Sequence, residues 1–515
     1  MPPAPAHDVG AWVAHHAAAR PNALAWADDH RRCDFAAASD RIECLAGWLA
    51  GHGVGAGDRI AVWLGNRGAT LEALFAAARL GAIMLPVNAR LTAEEVAFQL
   101  DDSRPSVLLV EHACRDEARA ATDAAARCEA VMLTVGGETC AYEAALAAQQ
   151  PAPPSREASP EDPVILMYTS GTTGRPKGAL LPLRKTLYNC LNAERYLATR
   201  SSDRVLVVAP LFHSLGLQIL ALPAVYCGAG LVIQEGFDAR RVWQAIADEG
   251  VTYYGGVPTM HQRLLDQLDA GEPVREAPDT LRIVFTAGAA APAELIRAHH
   301  ARGLAMMQGY GQTETSILTC LDPERTLSKA GSVGRPVHHA TVRLVDPARI
   351  DDPPEFWREV AVGEVGEIVV RGPITMLGYW ERPEANAETL RGEWLRTGDL
   401  ATRDADGDVT LVGRAREMYI SGGENVYPAE VEATLVEHPD VGEAAVVAVA
   451  DSEWGEVGHA YVAAGAGTHV DPDAVLAWLA PRLARYKQPR RVIVVEALPR
   501  TASGKVQKHR LTHAS

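Results

Sequence analysis

The 515-residue chain lacks most of the features that mark special classes of protein. Cysteine is sparse and scattered. The nearest two of its eight, Cys33 and Cys44, stand eleven positions apart. With no CxxC pair, a zinc site or redox dithiol is not expected, and reduced thiols in a cytoplasmic protein are. The N-terminus, Met-Pro-Pro-Ala-Pro-Ala-His-Asp, has neither the basic nor the apolar region of a signal peptide. A long apolar run is missing too. Leu217–Gln234 is uncharged, but Gln218, Pro223, Gly228 and Gly230 interrupt it. It reads as a buried helix followed by a strand, not as the ~20 apolar residues of a membrane span. Positive charge is in deficit, with 49 basic residues against 65 acidic and a formal net charge of −16, which sets nucleic acid aside as a partner. Aromatic residues are few, at 6%. What remains is 48% apolar and 22% charged, a globular composition whose many alanines suggest helices packed closely on sheets. At roughly 100–200 residues per domain, the length implies two to four domains.

Against this background, strand and helix periods alternate. Asp58–Leu64 is a short apolar run, Leu71–Leu80 has helical spacing, and Ile83–Val87 is apolar and β-leaning. That is a βαβ unit, and it implies parallel sheet. A second alternation runs through Val205–Ala209, the apolar stretch after Leu215, Leu231–Gln234, a helix Ala239–Glu249 and Thr252–Tyr254; Ile283–Thr286 reads as another strand. Pro151–Pro163 reads as a surface linker. Beyond Arg414 the rhythm changes: a helix from Pro428 to Glu437, a strand Ala444–Ala450, a helix Asp473–Arg485 and a strand Arg491–Val495. These make a small α+β module of about 100 residues, large enough for a core of its own.

The most informative segment is Tyr168-Thr-Ser-Gly-Thr-Thr-Gly-Arg-Pro-Lys-Gly178, which follows the apolar strand Val164–Met167. Glycines allow a tight turn that aims backbone N–H groups at an anion; the hydroxyls add donors, and Lys177 adds a cation. Such a loop can hold a polyphosphate. It is not a Walker A loop, because Pro176 stands where that motif needs glycine. Gly53-Val-Gly-Ala-Gly57 is not a dinucleotide fingerprint, because Asp58 stands where the third glycine should be.

The loop resembles the signature of the adenylate-forming superfamily, which comprises acyl-CoA synthetases, peptide-synthetase adenylation domains and luciferases. Other segments resemble that family's motifs in order. They are Arg79-Leu-Gly-Ala-Ile-Met-Leu-Pro-Val-Asn88, Pro210-Leu-Phe-His-Ser-Leu-Gly216, Gly309-Tyr-Gly-Gln-Thr-Glu314, Trp394-Leu-Arg-Thr-Gly-Asp399, the stretch Gly413 to Pro428, and Pro499-Arg-Thr-Ala-Ser-Gly-Lys505. The resemblance spans about Trp12 to Lys508. It implies a large N-terminal region of layered α/β sheets (1–412) holding ATP and an acid, and a small mobile α+β domain (413–515).

The implied chemistry has two halves. A carboxylate attacks the α-phosphate of ATP, giving acyl-AMP and pyrophosphate; a thiol, that of CoA, then displaces AMP. The first half brings two anions together and needs positive charge and Mg²⁺. The resemblance makes Lys505 the adenylation catalyst, Thr313 a partner of phosphate or carboxylate, and Glu314 the metal ligand. ATP or AMP is expected at Thr169, Ser170, Gly171, Thr172, Thr173, Gly174, Lys177, Gly288, Ala289, Ala290, Tyr310, Gly311, Gln312, Asp399 and Arg414. Tyr310 would stack on adenine and Asp399 would accept from both ribose hydroxyls. Ser421, Gly422 and Gly423 would line the CoA tunnel. Arg416 would be the hinge, where the family commonly has Asp or Lys.

The acid is expected against His213, Leu217, Gly256, Val257, Met307 and Gly309. Peptide-synthetase relatives usually carry Asp just after the Phe of the second motif; here His213 and Ser214 follow Phe212, which disfavours an amino acid. Malonate-activating relatives tend to carry Arg before the adenine-motif Tyr; here it is Gly309. Gly255, Gly256 and Gly309 read as leaving volume, so a medium-chain fatty, alicyclic or aryl acid is expected. A ligase that loads a carrier-protein thiol and a non-catalytic binding protein are the alternatives. A homodimer is left open. Within the acidic chain, Pro481–Ser515 holds nine basic residues against one acid, Glu496, a basic end suited to the phosphates of ATP and CoA.

Overall fold

The computed structural model describes residues 7–137, 140–154, 156–169, 176–269, 280–289, 291–421, 424–451, 454–465, 467–500 and 506–511. The chain divides into two compact units, residues 1–341 with 370–395, and residues 342–369 with 396–515.

The first unit carries two large sheets. In the seven-stranded sheet, Arg59–Trp63 lies between Ile83–Pro86 and Val107–Glu111, parallel to both. Helix Gly68–Leu80 makes the crossover, so the expected βαβ unit is present. Ala73, Ala76 and Ala77 on it are fully buried, the close helix-on-sheet packing that the alanine content suggested. Strand Pro163–Thr169 pairs antiparallel with Lys177–Pro182, with Thr169 opposite Lys177. These two strands therefore bracket residues 170–175.

The nine-stranded sheet holds the parallel strands Gly230–Ile233, Arg204–Val207, Tyr253–Gly256, Ile283–Thr286 and Met306–Gln312 side by side. Helix Ala239–Glu249 has the expected bounds, capped by the Asp238 carboxylate accepting from Arg241 N–H. One core gathers Leu206, Val242, Trp243, Ile246, Leu264, Val284, Leu295 and Met306. The stretch after Leu215 is buried as expected, but Leu215–Ala221 is a π-helix that continues into helix Leu222–Cys227. Pro223 has no N–H to give the preceding turn, and periodicity does not distinguish a π-turn from an α-turn.

In the second unit, residues 342–345, 366–369 and 396–403 and strand Val409–Arg414 contribute to a five-stranded sheet. A further sheet holds Tyr419–Ser421, Glu424–Val426, Val441–Asp451, Gly455–Ala464 and Arg491–Val494. Helices Pro428–Leu435 and Pro472–Leu479 close a core of Tyr419, Val431, Leu435, Val446, Val462, Val475 and Leu479. This is the expected α+β module, with two corrections. The helix expected over Asp473–Arg485 stops at Leu479, because Pro481 cannot continue the hydrogen-bond ladder. Strand Gly455–Ala464 was not anticipated. It lies between two other strands and is buried on both faces from Ala460 to Ala463, so it lacks the period-2 signal of a half-buried strand. Among the described residues, no helix is long and apolar enough to cross a membrane.

Candidate active site

In the first unit, a tight hairpin joins strands Met306–Gln312 and Ser316–Cys320, with a register shift between Tyr310 and Gly311. A Cβ on Gly311 would overlap the Ser316 carbonyl oxygen, so only glycine fits there. The turn closes on itself. Gln312 N–H donates to Thr315 Oγ1 (3.1 Å), and Thr315 N–H donates to the Gln312 carbonyl (3.1 Å). Ser316 sits at φ +57°. This geometry fixes Glu314 with 7% exposure. The Tyr379 hydroxyl donates to Glu314 Oε1 (2.8 Å), and the Glu314 carbonyl accepts from Met376 N–H (2.9 Å). The Lys177 ammonium lies 5.5 Å from the centroid of the Tyr379 ring, a cation–π arrangement. Lys177 and Glu314, far apart in sequence, are thus brought to one tyrosine. Sequence reasoning missed Tyr379, which lies 65 residues beyond Glu314 and in none of the motifs.

A single buried carboxylate beside a lysine suits a magnesium ion that takes its remaining ligands from phosphate oxygens and water. Tyr310 is buried on the same hairpin and Thr313 is partly exposed at its tip. Beneath the hairpin lies a group that the motifs did not point to. Lys185 is fully buried, and its Nζ donates to Gln218 Oε1 (2.9 Å) and to Ser316 Oγ. Burial pulls its pKa down to about 7, against the opposing pull of Glu314.

On the acyl side, His213 follows a turn in which its N–H donates to the Pro210 carbonyl (3.0 Å). Its ring packs on Phe212, with centroids 4.8 Å apart. Nε2 is buried without a hydrogen-bond partner among the described residues. Burial, followed by the Arg90 charge, lowers its pKa to about 4, so the imidazole is neutral at pH 7. Leu217 and Met307 are fully buried.

The glycines do not leave open volume as expected. A Cβ at Gly309 would lie 2.6 Å from Phe285 Cζ, one at Gly255 2.7 Å from Leu220 Cδ2, and one at Gly256 2.5 Å from Tyr254 Oη. Neighbouring side chains fill the space. Strand register also separates them, because Gly256 aligns with Thr286 and Thr286 with Gln308. Met307 and Gly309 are directed to one face of the sheet and Gly256 to the other. Val257 does approach Gly288, one of the residues expected at the nucleotide, since a Cβ on Gly288 would meet its Cγ1 at 3.6 Å. Gly288 and Ala289 are exposed.

In the second unit, Asp399 and Arg414 face each other across paired strands, with Arg414 Nε 2.6 Å from Asp399 Oδ1. Thr397 Oγ1 donates to the Ile368 carbonyl (2.8 Å) and accepts from Asp399 N–H (3.1 Å), which orients the carboxylate-bearing turn. Arg416 is exposed in a turn between strands Val409–Arg414 and Tyr419–Ser421. Ser421 is buried and pairs with Glu424, so the paired strands flank residues 422 and 423. Ser170, Gly171, Thr172, Thr173, Gly174, Ala290, Gly422, Gly423 and Lys505 lie outside the described residues.

Comparison with known proteins places the chain in a family. The AMP-binding enzyme family matches residues 13–380, and the AMP-binding enzyme C-terminal domain matches residues 430–505. The chain belongs to the AMP-binding, adenylate-forming enzymes. It is 41% identical to a feruloyl-CoA synthase of an Amycolatopsis species and 38% identical to an indoleacetate–CoA ligase of Aromatoleum aromaticum, covering 97% of each chain in both cases. Among solved structures, ATP-bound MatB from Rhodopseudomonas palustris superposes with a TM-score of 0.87 at 29% identity over 98% of both chains. MenE from Bacillus subtilis, in complex with ATP and a magnesium ion, superposes at 0.86 and 30% identity over 97% of this chain and 99% of that one. The fold is that of the acyl-CoA synthetases, and the enzyme is an acid–thiol ligase of the AMP-forming kind.

Proposed function

We propose that this enzyme activates an aryl carboxylic acid, of the ferulate or indoleacetate kind, and transfers it to CoA. The group in which buried Glu314 and half-buried Lys177 meet Tyr379 supports the adenylation chemistry, because it brings an anionic metal ligand and a cation to one side chain. The acid class rests on two relatives that match 97% of their length and whose names both carry an aromatic acid. A neutral His213 tilted against Phe212, with Leu217 and Met307 fully buried, suits an uncharged ring better than a second carboxylate.

In the first half-reaction, a carboxylate oxygen bonds to the α-phosphorus and the bond to pyrophosphate breaks. Lys505 neutralises the charge that builds between carboxylate and phosphate, an interaction strongest in the transition state. The segment 169–174 and Lys177 hold the phosphates. Gly288, Ala289, Ala290, Tyr310, Gly311 and Gln312 hold adenine and its surroundings, and Asp399 and Arg414 hold ribose. Glu314 would hold Mg²⁺, whose charge offsets that of the departing pyrophosphate. Thr313 donates to the acyl-phosphate oxygens. In the second half-reaction, the CoA sulfur bonds to the acyl carbon and AMP leaves with the former carboxylate oxygen. Ser421, Gly422 and Gly423 line the path of the pantetheine arm. A turn at Arg416 exchanges Lys505 for this loop, with 1–412 as the fixed region and 413–515 as the mobile one.

A pyrophosphate-release panel tests the reading. It uses ATP with ferulate, indoleacetate, 2-succinylbenzoate, octanoate or cyclohexanecarboxylate, each with and without CoA. Ferulate or indoleacetate should lead, and CoA should convert the bound adenylate to thioester. A lead by octanoate would overturn the aryl assignment. Pyrophosphate without any CoA thioester would favour a carrier-protein acceptor, and no pyrophosphate with any acid would favour a non-catalytic binder.

A further inference from the structure

The second unit holds an ion-pair cluster that the motifs do not explain. The Lys508 ammonium is 2.6 Å from Glu417 Oε2 and 2.7 Å from Glu432 Oε1, with only 20% of its side chain exposed. Burial opposes its charge, but Glu432 and Glu417 outweigh burial and hold the lysine protonated. The three partners come from separate places. Glu417 follows the hinge residue Arg416, Glu432 is on helix Pro428–Leu435, and Lys508 lies three residues beyond Lys505. Glu432 is itself fixed, since its Oε1 accepts from Val446 N–H (2.7 Å).

The chain on either side of residues 501–505 is also joined. Arg500 and Val506 form an antiparallel bridge, and Gln507 N–H donates to the Pro499 carbonyl (2.7 Å). Leu498 and Leu511 already bury these flanks against Ala445, Val447 and Tyr461. Apolar packing therefore secures these flanks to their sheet without an ion pair. Desolvating three charges is a costly way to add stability alone. What the cluster adds is direction, because it ties the base of the Lys505 segment to the turn that carries the hinge.

We infer that Lys508 is a positioning residue, which through Glu417 and Glu432 registers the Lys505 segment with the hinge turn for adenylation. The inference rests on the reading of Lys505 as the adenylation catalyst.

The test compares Lys508→Met, Lys508→Arg and Lys505→Ala in the full chain, with ATP and the best acid of the panel. Lys508→Met keeps the packed stem and removes the charge. Pyrophosphate release should fall by about 100-fold in kcat, the order of loss that a small misplacement causes, with KM values near the parent's. Thioester formation from supplied acyl-adenylate and CoA should stay within about threefold of the parent. Lys508→Arg, which restores the pairing cation, should recover most of the lost rate, and this variant keeps the test valid if the Met protein melts early. Equal loss in both half-reactions, or no loss in the first, would overturn the proposal. If Lys505→Ala itself leaves pyrophosphate release intact, the underlying reading fails. If Lys505→Ala abolishes it while Lys508→Met does not, only the positioning role fails.

Discussion

Each unit of the enzyme withdraws a lysine from water, one fully and one in large part, and the two do it in opposite ways. In the first unit, Lys185 is fully enclosed and meets two neutral acceptors, Gln218 and Ser316. Its charge is disfavoured, and its pKa falls to about 7. In the second unit, Lys508 meets two carboxylates, and its charge is favoured despite burial. The first arrangement braces a wall, connecting the π-helix Leu215–Ala221 to the hairpin that carries Glu314. The second ties the stretch after residue 505 to the turn that holds Glu417 and to helix Pro428–Leu435. Neutral acceptors let burial draw the proton from one lysine; paired carboxylates keep the proton on the other.

The contrast can be broken at several levels. The largest effect should come from Glu314→Gln, which keeps the shape of the hairpin and removes its anionic ligand. Pyrophosphate release should fall by about 100-fold or more, and added Mg²⁺ should restore it only in part. A near-parental rate would remove Glu314 from the metal role. A smaller loss, about tenfold, should follow Tyr379→Phe, which deletes the hydroxyl bonded to Glu314 but keeps the ring under Lys177. If the variant matched the parent in both kcat and KM for ATP, the hydroxyl would not be orienting the carboxylate.

The two lysines should also differ in stability against pH. The folded pKa of Lys185, about 7, lies below its ordinary 10.5, so the unfolded chain binds more protons between those values. Its contribution to stability therefore rises with pH from about 7 to 10.5. Lys508 has a folded pKa above 10.5, so its contribution is full below that value and is lost as pH rises through the folded pKa. Urea unfolding at pH 7 and pH 9.5 should show a smaller rise in stability for Lys185→Met than for the parent. An unchanged rise would contradict the burial of an amine held by neutral acceptors alone.

The smallest effect belongs to His261, buried with its Nε2 against the Phe285 carbonyl (3.2 Å) and its pKa lowered to about 3. The unfolded chain binds the extra proton between about 3 and 6.5, so stability falls as pH falls through that window. His261→Phe should flatten part of the decline between pH 6.5 and 4 in the same unfolding measurement.

Much of the fold was legible because local signals agreed with tertiary structure. Helix Ala239–Glu249 carries its own Asp cap, and Ile283–Thr286 is a short apolar run in a parallel sheet. Where burial is two-sided, as in Gly455–Ala464, no alternation exists to be read. Within the site, Lys177 was readable from its glycine- and hydroxyl-rich loop, and Glu314 from the family resemblance of its motif. Tyr379, which joins them, was not, because a contact across 65 residues leaves no local pattern. Gly255, Gly256 and Gly309 suggested empty space, yet Leu220, Tyr254 and Phe285 occupy it. A glycine in sequence shows only that its own side chain is missing, not whose side chain takes the room. Lys185 lies in none of the motifs, and only the fold shows that it is enclosed.

The central claim is that one chain makes an acyl-adenylate and then spends it on CoA. A single-turnover experiment with excess enzyme, ATP and ferulate tests it most directly. The account predicts pyrophosphate equal to the limiting acid before CoA is added, with AMP and feruloyl-CoA appearing together only after CoA addition. Release of ADP and phosphate, or AMP appearing at the rate of pyrophosphate with no thioester after CoA addition, would contradict it.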